Sequence, residues 1–287
     1  MRCAGLTLDT VAICTRGELA GPLPLDMSLA PPGYRHRLFG ACGCGQVHSD
    51  APRRQVVPAI PPIRPPTLPV ERRDEIYTFA FRGLPLRKEA ADDLRRRGLT
   101  DEDTRSHRLA SVPLRMRERA DLVDSVRERF GDEALRSCPG FHDKNGRLVL
   151  SPAIRGQDGY VVPYLDEHRR ITGFQVKVLG SRYLTPSGTR YAEVYCVAGQ
   201  QSDLLWVVEG GLKAIVAAAL GGLWCFGVPG QSLQPEHLQA IRGLNPERVA
   251  VALDRETNPD TDRARMAWLT ALATEGFATY DAVWEQA

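Results

Sequence analysis

Long apolar runs are missing from this chain of 287 residues, as are paired cysteines and a nucleotide-binding Gly-x4-Gly-Lys-Ser/Thr loop, and lysine is scarce. Each absence excludes something. No run approaches the roughly 18 apolar residues that a membrane-spanning helix needs. Met1 to Cys14 has no basic segment followed by an apolar one and a small-residue cleavage site, so the expectation is a cytoplasmic protein with no membrane partner. The seven cysteines (Cys3, Cys14, Cys42, Cys44, Cys138, Cys196, Cys225) are odd in number and scattered, which argues against a disulfide framework. Without a phosphate-binding loop of that kind, the chain is not a P-loop motor. Only four of the 37 basic residues are lysine, which is read as codon bias towards arginine.

With 43% apolar and 25% charged residues, the chain has the composition of an ordinary globular protein able to bury a core. Its charge is divided unevenly: residues 1–203 carry a net +6 and residues 204–287 a net −4. A basic body joined to an acidic lobe suits a polyanion held against a carboxylate site, and equally an ordinary uneven surface.

The pattern along the chain divides it into five parts. Residues 1–50 form a small head with His36, Cys42, Cys44 and His48 clustered around a glycine-bearing turn. Two readings stay open for it, a structural zinc held through Cys42 and Cys44 or reduced thiols in a surface loop; Cys-x-Cys is tighter than the usual Cys-x2-4-Cys spacing. Residues 51–70 contain seven prolines, each lacking an amide donor, and read as an extended linker. Residues 71–136 show apolar spacings of three and four, broken at Gly83-Leu-Pro85 and Gly98-Leu-Thr100, which predicts short helices. Arg95-Arg-Arg97 there is either a phosphate contact or a solvated helix end. In residues 137–203 the period falls to two, over 148–150, 159–165 and 171–178, with a hairpin at Asp166-Glu-His-Arg-Arg170, which predicts an antiparallel β-rich subdomain.

From Leu204 onward, apolar strands at 204–208, 223–228, 248–253 and 277–283 alternate with helices at 212–220, 235–241 and 261–275. This is an α/β pattern and predicts a mostly parallel four-stranded sheet flanked by helices. In such a sheet, residues just past the strand carboxyl ends converge on one crevice. Glu209 follows the first of these strands, and Asp254 and Glu256 follow the third. Three carboxylates in one cleft would repel one another unless a hard divalent ion, Mg²⁺ or Mn²⁺, neutralised them; taken singly, each acid could instead cap the helix after it. Gly210 and Gly211 allow a sharp turn that presents helix-start amides to phosphate, and Lys213 adds a charge one turn in. Gly227-Val-Pro-Gly230 makes a second tight turn after the next strand.

Glu209-Gly210 after an apolar strand, then a helix, a Gly-Val-Pro-Gly turn and Asp254-Arg-Glu256 after another strand, resembles the Toprim domain shared by bacterial-type primases, topoisomerases and several nucleases. Pro163-Tyr-Leu-Asp166, Gly173-Phe-Gln-Val-Lys177 and Arg182-Tyr-Leu-Thr-Pro-Ser187 resemble, in order and spacing, the β-rich subdomain ahead of Toprim in the primase catalytic core. With Arg97-Gly-Leu99 before them, residues 71–287 look most like the Toprim-like replication proteins of phages and plasmids. The acid pair is Asp-x-Glu where the family usually has Asp-x-Asp, and the head does not match the primase zinc ribbon.

The resemblance implies a Mg²⁺-dependent primase-like nucleotidyl transferase that acts on single-stranded DNA and nucleotides in replication of a mobile element. Glu209 would be a general acid/base or metal ligand, and Asp254 and Glu256 would hold the metal against a phosphate. Lys177, Arg182 and Tyr183 would face nucleic acid or the incoming nucleotide, their other reading being an exposed strand face. The alternatives are a Toprim nuclease and a non-catalytic module that binds nucleic acid or a helicase.

Overall fold

Residues 6–8, 11–14, 20–27, 32–37, 42–45, 67–154, 157–253 and 259–282 are described in the computed structural model. The chain divides into two compact units, residues 1–64 and 65–287. In the first, three short strands, β1 (Leu6–Leu8), β2 (Val11–Cys14) and β3 (Tyr34–Arg37), form an antiparallel sheet with β2 in the middle. Asp26 bridges to Gly33 and its carboxylate pairs with Arg35, which ties the stretch before β3 to the strand itself. Most of the proline-rich segment lies outside the described residues.

The second unit begins with α1 (Val70–Phe81), whose buried residues Arg73, Ile76, Tyr77, Ala80 and Phe81 follow the spacing of one helical face. Then come α2 (Lys88–Arg96), α3 (Asp101–Ser106), the two-residue strand β4 (Ala110–Ser111), α4 (Met116–Phe130) and α5 (Asp132–Arg136). The start of α3 is fixed by a capping box between Thr100 and Asp103. Next is a hairpin of β5 (Phe141–Lys144) and β6 (Arg147–Leu150), turned by Asn145-Gly146 with both residues at positive φ.

β7 (Gly159–Leu165), β8 (Ile171–Val178) and β9 (Tyr183–Leu184) join β4 in an antiparallel sheet of order β4-β7-β8-β9. The β7–β8 turn is held by Asp166, which accepts from the amides of His168 and Arg170 and from the Arg170 guanidinium. Side chains alternate across a pleated strand. In β7, Val161 and Leu165 enter one apolar core with α1 and α4, while Tyr160, Val162 and Tyr164 enter another. The antiparallel segment expected from the sequence is therefore covered on both faces, and the helices at 70–130 supply part of each cover.

The remainder is β10 (Cys196–Ala198), β11 (Leu204–Glu209), α6 (Gly211–Gly221), β12 (Trp224–Val228), α7 (Pro235–Leu244), β13 (Arg248–Ala252), α8 (Pro259–Thr274) and β14 (Ala278–Asp281). The four parallel strands expected from the sequence are present in the order β12-β11-β13-β14, and β10 adds a fifth, antiparallel to β12, at the edge. Three residues stopped by Gly199 give too short a run for β10 to be read as a strand. Pro235 opens α7 at its first turn, and Gln234 and His237 form a capping box there. Among the described residues no helix is long and apolar enough to cross a membrane.

Candidate functional site

Glu209 is the last residue of β11, partly exposed at the carboxyl end of the parallel sheet. The register sets Glu209 beside Val228 of β12 and Val208 beside Ala252 of β13, so the chain leaves β13 at Leu253 alongside Glu209. Asp254 and Glu256 come one and three positions later and lie outside the described residues.

Two of the amides at the turn expected to present a helix start to phosphate already have partners. The Gly210 amide donates to the Val228 carbonyl at 2.7 Å, and the Gly211 amide donates to the Tyr164 hydroxyl at 2.9 Å. A partner far off in sequence has taken each donor. Gly211 is needed for a second reason: a Cβ there would lie 3.0 Å from the Tyr164 ring. Lys213 stands exposed on the first turn of α6, so its charge stays at the surface.

A residue the sequence reading missed reaches Glu209. The Gln231 side-chain amide donates to Glu209 Oε2 and to Thr261 Oγ1, both at 3.3 Å, and the residue's backbone carbonyl accepts from the indole of the buried Trp268 at 3.0 Å. Gln231 thus spans from the acid at the end of β11 to the first turns of α8, the helix that follows the Asp254–Glu256 segment. The turn at Gly227–Gly230 was visible in the sequence, but the reach of the residue leaving it was not.

A basic cluster lies around the end of α2. Asp93 accepts from Arg97 Nε at 3.0 Å, Arg96 Nη2 at 3.1 Å and the Tyr160 hydroxyl at 2.8 Å. Burial opposes ionisation of this carboxyl, yet the Arg97 and Tyr160 hydrogen bonds prevail and hold it below the usual carboxylate range. Gly98, at φ +84°, ends the helix, and a Cβ there would lie 2.7 Å from Leu220 of α6, which explains the glycine of Arg97-Gly-Leu99. The Lys177 ammonium stands 4.8 Å over the Tyr183 ring and donates to the Ser181 carbonyl. Burial, and then the nearby Arg97, lower its pKa. The structure therefore brings together Arg97, Lys177 and Tyr183, with Arg182 exposed in the adjoining turn. Burial raises the Tyr164 hydroxyl's pKa, and both Tyr183 and Glu209 are near enough to raise it further. Basic strand and acidic strand end share this buried tyrosine.

In the head, His36 on β3 and Cys42 and Cys44 in the following turn are all buried, their ligand atoms within 4.8 Å of one another. Cys42 Sγ lies 3.9 Å from His36 Nδ1 and accepts the Arg37 amide at 3.2 Å. Burial alone would raise the Cys42 thiol's pKa, but hydrogen bonds from Cys44 and Arg37 leave it lowered. Two soft sulfurs and an imidazole are a donor set that fits zinc. His48 lies outside the described residues.

With this geometry in place, solved structures supply the comparison. The catalytic core of the E. coli primase matches with a TM-score of 0.58 at 20% identity, over 76% of this chain and 72% of that one. The fold is that of a DnaG-type primase core. The RNA polymerase domain of Mycobacterium tuberculosis primase DnaG matches with a TM-score of 0.59 at 14% identity, over 76% of this chain and 75% of that one. A DnaG primase catalytic domain bound to single-stranded DNA matches with a TM-score of 0.56 at 20% identity, over 76% of each chain. No family model and no curated protein matches the chain. The DnaG-like fold thus rests on arrangement rather than on sequence.

Proposed function

We propose that this protein is a primase-like nucleotidyl transferase, dependent on Mg²⁺ or Mn²⁺, that acts on single-stranded DNA during replication of a mobile element and works with a separate helicase. The observation that carries the reading is Glu209 at the carboxyl end of β11, in a DnaG-like fold, beside the strand exit that leads into Asp254-Arg-Glu256. A divalent ion there would neutralise charge developing on the transferred phosphoryl group. Glu209, Asp254 and Glu256 would hold it, oxygen donors of the kind such ions take. Arg97, Lys177 and Tyr183 would bind the phosphates and bases of the strand, with Arg182 and Lys213 beside them. Gln231 would keep the Glu209 carboxylate turned towards the crevice.

The test is incubation of the purified protein with single-stranded DNA, labelled nucleotides and Mg²⁺ or Mn²⁺, scoring new oligonucleotides and cleavage together. Synthesis lost in Glu209→Ala and in Asp254→Ala supports the proposal. Cutting lost in the same variants makes the protein a Toprim nuclease. Binding without either activity, unchanged in both variants, replaces the enzyme with a nucleic-acid-binding module.

The head is proposed to hold a structural zinc through His36, Cys42 and Cys44. Support comes from the convergence of three buried soft donors on a strand and turn, and from the amide donated to Cys42. Elemental analysis of protein purified without added metal should find zinc near one equivalent, falling in Cys42→Ser; less than about a tenth of an equivalent ends the idea.

A further inference from the structure

The first amide of a helix has no partner within the helix, and when buried it must find one elsewhere. At α6 that partner is the fully buried Tyr164 of β7, whose oxygen accepts from Gly211 N–H at 2.9 Å. Because an amide can only donate, the direction of the next bonds is fixed. Tyr164 gives its own proton to Gln175 Oε1 at 2.7 Å, which leaves the Gln175 NH₂ to donate to Thr185 Oγ1 at 3.2 Å. Thr185 also meets the hydroxyl of Tyr191 at 3.0 Å, and Tyr191 is 46% exposed. A single hydrogen-bonded chain thus runs from the surface beside the Arg182–Ser187 motif, through the interior, to the turn that carries Glu209.

We propose that Tyr164 is a positioning residue: its hydroxyl, more than its ring, fixes the first turn of α6 and so the placement of Glu209 and Lys213. The inference rests on the reading of Glu209 as a metal ligand. Glu209 is separated from Gly211 by one residue, and among the described residues its carboxylate accepts a 3.3 Å bond from Gln231. The backbone bond to Tyr164 is shorter and fully buried, so it is the firmer of the two supports. In Tyr164→Phe the ring still fills its space while Gly211 N–H and Gln175 Oε1 lose their partner. The least costly repair is a tilt of the first turn towards water, and that tilt moves the acid.

Binding of Mn²⁺ to the full chain, followed by the electron paramagnetic resonance signal of the free ion, tests this without an activity assay. Glu209→Gln, Tyr164→Phe and wild type are compared well below their thermal midpoints. Tyr164→Phe should weaken Mn²⁺ binding about 10-fold, the lower range for groups that orient a metal ligand. Where primer synthesis is measurable, kcat should fall with KM for the DNA unchanged. Tyr164→Phe binding Mn²⁺ within twofold of wild type, while Glu209→Gln loses it, overturns the inference and leaves the proposed function standing. Glu209→Gln binding like wild type removes the metal site itself, and the inference with it. If Tyr164→Phe does not fold, Gln175→Met, which takes away the acceptor and lets the hydroxyl turn, should weaken binding in the same direction; no change there also overturns the inference.

Discussion

Two carboxylates, Asp93 and Glu209, are treated differently by their surroundings. Asp93, near the end of α2, is heavily engaged: two guanidiniums and a buried tyrosine converge on it, and its side chain is 13% exposed. Glu209, at the end of β11, is partly exposed, and among the described residues it accepts one long bond, from the Gln231 amide. A carboxylate with three of its roughly four lone pairs taken is a structural cross-link. One whose lone pairs stay largely open at a strand end is placed to bind something else. The difference separates a residue that organises the basic cluster from one suited to chemistry.

Exchanging the two roles by mutation gives the largest expected effects. Glu209→Ala should reduce metal-dependent synthesis by about 10³-fold or more while leaving the urea midpoint nearly unchanged, because ligands of one metal act as a unit. Asp93→Ala should do the reverse. Stripping the partner from the buried Tyr160 hydroxyl and from Arg97 should cost about 1–3 kcal/mol in chemical denaturation, and Mn²⁺ binding should be retained. If Asp93→Ala lost the metal and kept its stability, the contrast would be wrong.

Acid sharpens the comparison. Asp93 has a folded-state pKa below its unfolded value, so the unfolded chain binds more protons in that window and stability is lost as pH falls through the folded pKa. Asp93→Asn should flatten the stability curve below about pH 4. His237 adds a separate step at higher pH. It is fully buried, accepts from the Gln234 amide through Nδ1, and donates through Nε2 to the carbonyls of Tyr191 and Val194, which requires the neutral ring. Burial lowers its pKa against the pull of those carbonyls, so its contribution is present above about pH 6.5 and fades below it. Urea titrations at pH 7.5, 6 and 5 should show that decline, and His237→Gln should remove its pH dependence.

The smallest effect belongs to the basic side. If Arg97 and Lys177 each neutralise one phosphate, single-stranded DNA binding should fall steeply with salt, and each alanine variant should reduce the log–log slope by about 0.7. A slope unchanged in both variants would return them to the role of an exposed strand face.

The parallel sheet and Glu209 were legible because each depends on a local pattern: an apolar strand, then glycine or proline, with the acid at the strand's end. β5 is hard to read from the sequence, although Asn145-Gly146 marks its hairpin, because Phe141-His-Asp-Lys144 has neither an apolar run nor an apolar alternation. β9 and β10 were too short to show a period. Tyr164 and Gln231 were invisible as site residues because their partners lie 47 and 22 positions away, distances that only the folded chain closes. For the same reason the amides of Gly210 and Gly211 looked available until their acceptors came into view.

β7 faces two cores at once, and this limits how the chain can vary over time. A strand with one wet face can slip by a residue and still keep part of its burial. In β7, a one-residue insertion would send Val161 and Leu165 into the space shaped for Tyr160, Val162 and Tyr164, and the reverse, so that both interiors would fail together. The segment should therefore drift by substitution of side chains of matching size and resist change in length. Insertions that lineages accumulate should collect in the loops outside it.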